Sequence, residues 1–152
     1  MRMRKISFPG FLALLLVSLV FLPSCSQKGD PVRNTLDQIV AAAEKTDDAA
    51  VMELISASFQ GPGGESKTDL ASEVRRYFFA YESLSVTLSD VTIEKGPDRA
   101  RAVFVAALSG TVKKISGLDG ILPRSSRWKF EVSLALEDKT WRITTGKWQR
   151  LD

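Results

Sequence analysis

The chain has no histidine and a single cysteine, Cys25. The first absence removes the Ser-His and Cys-His catalytic pairs and every His-ligated metal. The second removes an intrachain disulfide, so packing alone must hold whatever folds here. Excess charge is scarce as well. The formal charge of +3 matches the contribution of Arg2, Arg4 and Lys5, since no acid occurs before Asp30. The remainder carries as many acids as bases, so the pI near 9.1 belongs to the first few residues. There is no basic stripe of the kind that tracks phosphates, and nucleic-acid binding is rejected. The Gly-rich run 60–64 follows a helix pattern and lacks the lysine of a phosphate loop, so no cofactor is expected. Any catalysis would fall to carboxylates, lysines, tyrosines or hydroxyls.

Long apolar runs are absent save one. Phe11 to Leu22 is interrupted only by Ser18, short of the roughly 20 apolar residues that a membrane-spanning helix needs. A basic head, this run and small residues at its end describe a secretory signal. The run closes on Leu22-Pro23-Ser24-Cys25, which resembles the lipobox of bacterial lipoproteins. The resemblance implies that residues 1–24 are cleaved as a leader and that the Cys25 thiol is acylated with diacylglycerol. Residues 25–30 then form a lipidated tether, and a membrane is one partner of the protein. It further implies a place in the bacterial cell envelope, facing the periplasm. Ser26 rather than Asp after the cysteine points to the outer membrane over the inner.

Residues 31–152 have the length of one domain with a modest core. Asp30-Pro31 reads as an N-cap and a first helical residue. Val32, Leu36, Ile39, Val40 and Ala43 carry that helix to about Lys45. Thr46-Asp47-Asp48 caps a second helix, with Val51, Leu54 and Ile55 on one face and Phe59 plugging the core after it. Ser66 or Thr68 caps a third, with Leu70, Val74, Tyr77, Phe78 and Tyr81 on its buried stripe. From Leu84 the period becomes two. Leu84, Val86 and Leu88 alternate, then Val91 and Ile93 in the opposite parity, which places a bulge near Ser89-Asp90. A turn at 95–98 leads into strands over 99–108, 127–136 and from Trp141, the last with Gly146 as its expected bulge before Trp148. Gly110 to Ser126 is left as a long connection.

Three helices followed by a curved antiparallel sheet of about four strands resemble the nuclear transport factor 2-like fold, the cone-shaped α+β family that includes SnoaL-type polyketide cyclases. The matching stretches are Asp47-Asp48-Ala49-Ala50, the strand from Arg99 to Val103, and the closing run from Trp141 to Trp148. The resemblance implies a cavity between the helices and the concave sheet face, and often a dimer through the convex face. Inward positions on the two longest strands are Ala, Phe, Leu, Trp and Val, with no carboxylate. The expected function is therefore a non-catalytic binding module for an apolar ligand or a partner protein. Its pocket would be lined by Tyr77, Tyr81, Phe104, Trp128, Phe130 and Trp141. Small residues opposite large ones could equally close the cone to native density. One alternative is a small SnoaL-like enzyme acting on a hydrophobic substrate through Asp90 or Tyr77; another is a purely structural envelope subunit. Val103, Val105 and Ala107 sit on the opposite face, where polar residues are usual. They are expected either to meet a second copy or another envelope protein, or to lie under the Gly110–Ser126 loop.

Overall fold

The computed structural model describes residues 29–114 and 123–152. The leader, Cys25 and the tether through residue 28 lie outside the described residues, as does the 115–122 segment. Helix α1 (Pro31–Glu44) begins because Asp30 Oδ1 accepts from the backbone N–H groups of Val32 and Arg33, at 2.8 and 3.3 Å. Its other oxygen meets Lys95 Nζ at 2.8 Å, so the start of the helix is clamped to the end of a strand far along the chain. Asp47 caps α2 (Asp48–Glu53) through Ala50 N–H at 2.9 Å.

The second helix is shorter than its apolar spacing predicts. Leu54 closes it, and Ile55–Gln60 is strand β1. Ile55 and Phe59 are both buried, but as members of the sheet layer. Ser66 and Asp69 then form a reciprocal capping box that opens α3 (Lys67–Phe79). Tyr81 is the first residue of β2 (Tyr81–Lys95) and not the last of the helical stripe. Strands β3 (Arg99–Val112), β4 (Ser125–Glu137) and β5 (Thr140–Arg150) follow. Both sides of the long connection are thus strand, and only residues 113–124 link β3 to β4.

The sheet runs β1-β5-β4-β3-β2, antiparallel throughout except that β1 lies parallel to β5. It has five strands and not four, because a parallel partner arrives from between two helices. The expected bulge in β2 is present: the register shifts between Ser89 and Thr92, and Asp90 takes a φ of 52°. The expected bulge at Gly146 is not. Gly146 stays in register with Val132, and the shift falls two residues earlier, at Thr144 between Ile143 and Thr145.

Helices cover one face of the sheet. Val32 and Leu36 of α1 pack on Ile55, Ala100, Ala102, Leu134, Trp141 and Ile143. A second cluster joins Ala42 and Val51 to Phe78, Ala80, Tyr81 and Leu84. Burying each of the larger apolar side chains contributes about 1.5–3 kcal/mol.

Candidate functional site

On β3 the even-numbered residues Ala100, Ala102, Phe104 and Ala106 are buried, because strand side chains alternate between faces. The register extends each into a row across the sheet. Phe104 lies beside Phe130, and Phe130 beside Trp148. The Phe104 and Phe130 rings are stacked, with centroids 5.3 Å apart and an interplanar angle of 17°. The next row is Ala106, Trp128 and Arg150, with the Arg150 guanidinium carbon 6.0 Å from the Trp128 ring centroid.

Burial falls across the first of these rows from β3 to β5, starting from the buried Phe104. At the Lys95 end, Ala100, Leu134, Trp141 and Ile143 are buried. Phe130 and Trp128 are half-buried, and Trp148 is 39% exposed. The helices and sheet therefore cover the base, while towards the other, upper end Trp128, Phe130 and Trp148 stay partly uncovered beside the buried Ala106, Ser126, Tyr81 and Leu84.

The six expected pocket residues do not form one group. Phe104, Phe130 and Trp128 share the wall just described. Trp141 belongs to the base: it pairs with Leu136, whereas Trp128 pairs with Arg150 at the other end of the same two strands. The Trp141 carbonyl accepts from Thr35 Oγ1 at 3.3 Å, which ties it to α1. Tyr77 and Tyr81 pair with each other, centroids 4.9 Å apart, in the second core cluster. The Tyr81 hydroxyl donates to the Pro123 carbonyl at 2.8 Å. Burial pushes this phenol well above the ordinary tyrosine value, and the Tyr77 hydroxyl adds to the rise against a smaller opposing pull from Arg150. Tyr81 therefore stays protonated and cannot serve as a base near neutral pH. Asp90 is exposed on the bulge of edge strand β2, where it accepts from Ser89 Oγ at 3.3 Å.

Trp148 is the wall residue that alternation alone misses. Trp141, Ile143 and Thr145 set a parity that would leave Trp148 outside; the extra residue at Thr144 reverses it. A Cβ built on Gly146 would lie 3.4 Å from the Trp148 ring and 3.7 Å from Phe59, on the same inner side. Glycine here leaves room for both rings.

Two grooves lie elsewhere. One of about 460 Å³ is bounded by Glu53, Ile55, Ala57, Lys67, Glu137, Asp138 and Arg142. Its cations are already engaged: Lys67 Nζ donates to the Ile55 carbonyl, and Arg142 to the carbonyls of Glu53 and Glu137. Ser56 Oγ donates to Glu137 Oε1 at 2.7 Å, so this groove stitches β1 to the β4–β5 turn. The other, about 290 Å³, lies over small residues at the upper end of β3 and β4, among them Ala107, Ser109 and Ser125. Among the described residues no cluster of three His, Cys, Asp or Glu could hold a metal. None of their helices is long and apolar enough to cross a membrane.

No protein-family model and no curated protein matches the sequence. Solved structures do match it in shape. A nuclear transport factor 2-like superfamily protein from Salmonella enterica serovar Typhimurium superposes with a TM-score of 0.63 at 14% identity, over 77% of this chain and 86% of that one. The fold is nuclear transport factor 2-like. A candidate scytalone dehydratase from Novosphingobium aromaticivorans gives a TM-score of 0.68 at 9% identity, covering 80% of this chain and 83% of its own. Bd1075 of Bdellovibrio bacteriovorus gives 0.64 at 15% identity, and this chain, covered over 79% of its length, spans only 40% of that protein. At such identities the likeness is one of fold, and activity must be argued from the side chains.

Proposed function

We propose that this is a lipid-anchored protein of the bacterial envelope, tethered through Cys25, whose nuclear transport factor 2-like domain binds an apolar ligand or partner without catalysis. The observation that carries the binding role is the aromatic wall Phe104–Phe130–Trp148 with Trp128 beside it, left partly uncovered at the upper half of the cone. Ligand sites are mostly apolar walls with a few polar groups, and here Arg150, paired with Asp152, lies over Trp128. Of the groups that could run acid–base chemistry, Asp90 is on the outside and Tyr81 is held protonated, while Asp152 is engaged by Arg150 and by the Arg127 N–H. The lipobox at 22–25 supports the anchor and, with Ser26, an outer-membrane address.

Titration of the protein with a neutral naphthylamine dye tests the binding role. Dye fluorescence should rise on binding, Trp148→Ala should weaken it about tenfold, about 1.4 kcal/mol and near the low end for a large apolar contact, and Trp148→Phe should restore most of it. A protein that enhances no apolar dye, or a Trp148→Ala variant that binds unchanged, would refute the site.

One observation favours a second reading, an enzyme acting on a hydrophobic substrate. A neighbour in fold is named as a candidate dehydratase, and the half-buried Tyr77 could offer a phenol to a substrate. That reading requires turnover that disappears in Tyr77→Phe while dye binding persists.

A further inference from the structure

The tether is short, and it leaves the domain at a defined place. Asp30 is fixed to Lys95 by the 2.8 Å ion pair, and Lys95 pairs with Ala100 at the β2–β3 turn. The β4–β5 turn is at the same end, since the Leu136 N–H donates to the Asp98 carbonyl at 2.9 Å. The chain therefore enters the domain at the closed base of the cone. From Cys25 to Asp30 five residue steps can reach about 17 Å at full extension. Strands β2 to β4, of 13 to 15 residues, make the domain about 40 Å long from base to upper end.

These lengths exclude one orientation outright. If the upper end faced the anchoring bilayer, Asp30 would stand about 40 Å from it, more than twice what the tether spans. We infer that the anchored protein stands on its closed base, with the 95–99 and 137–140 turns toward the bilayer and the aromatic wall turned away from it. This inference rests on the proposed lipidation of Cys25.

Charge does not compete with the tether at the base. Its exposed acids Glu53, Glu94, Asp98 and Asp138 alternate with Lys95, Arg99 and Lys139, so an anionic surface neither pulls nor strongly repels it. The upper end presents Lys113, Lys114, Arg124 and Arg127 beside the acids Glu82 and Asp152, together with Phe79 at 68% exposure under a cation–π contact from Lys113. The occupant of the aromatic wall must then be delivered from the aqueous side, and not by lateral entry from the anchoring leaflet.

The absence of any other cysteine makes the test direct, because an introduced thiol is the only one to label once Cys25 is acylated. Full-length protein carrying Asp98→Cys or Arg124→Cys is processed in cells, labelled with a fluorescent maleimide and reconstituted into phosphatidylcholine vesicles containing a rhodamine-labelled lipid. Energy transfer to the bilayer should be at least twofold higher from residue 98 than from residue 124. A ten-residue flexible insertion after Lys28 should shrink that difference. Floating protein that transfers equally from both sites lies on its side, and reversed transfer inverts it; either result overturns the orientation alone. Protein that does not float with vesicles, and whose Cys25 reacts with maleimide, overturns the anchor and the orientation together.

Discussion

Asp30 shows how one side chain can hold several levels of the structure at once. It caps α1, pins the chain entry to β2 and sets the base of the cone. Burial alone would raise its carboxyl, but the Lys95 hydrogen bond and the N–H groups of Val32 and Arg33 outweigh that and hold it below the ordinary aspartate value. A carboxyl lowered on folding adds stability above its unfolded value near 4, and that contribution fades as the pH falls through the folded value. Asp30→Asn keeps a cap acceptor but loses the charge. At pH 7 it should cost up to about 1 kcal/mol, the ceiling for a partly exposed pair, and urea titrations should show the gap closing below pH 4. Asp30→Ala loses the cap as well, for about 1–2 kcal/mol in total. Tyr81 gives the opposite sign. Its phenol is raised on folding, so its stabilisation is complete below about pH 10 and is lost above it, where the unfolded chain ionises first. Tyr81→Phe should cost about 1 kcal/mol at pH 8 through the lost Pro123 bond. Between pH 8 and 11 it should lose less stability than the parent protein in urea titration.

At the scale of elements, the strongest local signals were enough for most boundaries and failed where partners are distant. The Asp30-Pro31 start of α1 and the bulge at Ser89-Asp90 were legible because each is written in adjacent residues, and Ser66 was one of the two caps, with Thr68, that the sequence offered for α3. Strand β1 was not. Val51, Leu54, Ile55 and Phe59 recur at helical spacing, and a six-residue strand that pairs with β5, far along the chain, leaves no clear alternation of its own. The bulge in β5 was expected before Trp148 at Gly146 and lies instead at Thr144; either position turns Trp148 inward. Gly110 was read as the start of a loop, yet it is a strand residue opposite Leu84. A Cβ there would come within 2.8 Å of the Tyr81 ring and closer still to the Ser83 carbonyl oxygen. Gly110→Ala should therefore destabilise the domain by about 1–3 kcal/mol through overpacking. Gly96→Ala, whose Cβ meets only the Arg99 carbonyl at 3.5 Å, should stay within about 0.5 kcal/mol. Thermal melts of the two variants make the comparison.

For the whole molecule, the apolar inner face followed from alternation and the cone from the family resemblance, whereas the division of the six aromatic candidates among wall, base and second cluster depended on register. The outer face carries the remaining question of assembly. Val103, Val105 and Ala107 are half-buried there. Each lies between a polar β2 residue and a charged β4 residue: Thr92 and Glu131, Ser89 and Lys129, Thr87 and Arg127. The long stems of the β4 residues flank an apolar strip that a second copy could cover. A closed dimer through one face is two-fold symmetric, and the anchors restrict where that axis can run. An axis across the strands would put the two bases at opposite ends, about 40 Å apart, beyond the tether of about 17 Å. Only an axis along the strands lets both copies stand on one bilayer, with their aromatic walls facing outward on opposite sides. We predict such a dimer, with the Val105 residues near its centre. Cys25→Ala protein should sediment as a dimer at micromolar concentration. Val105→Lys should shift it to monomer by setting two ammonium groups against each other in a drying interface. A parent protein that sediments as a monomer removes the dimer, and leaves the apolar strip to another envelope protein or to the 113–124 connection.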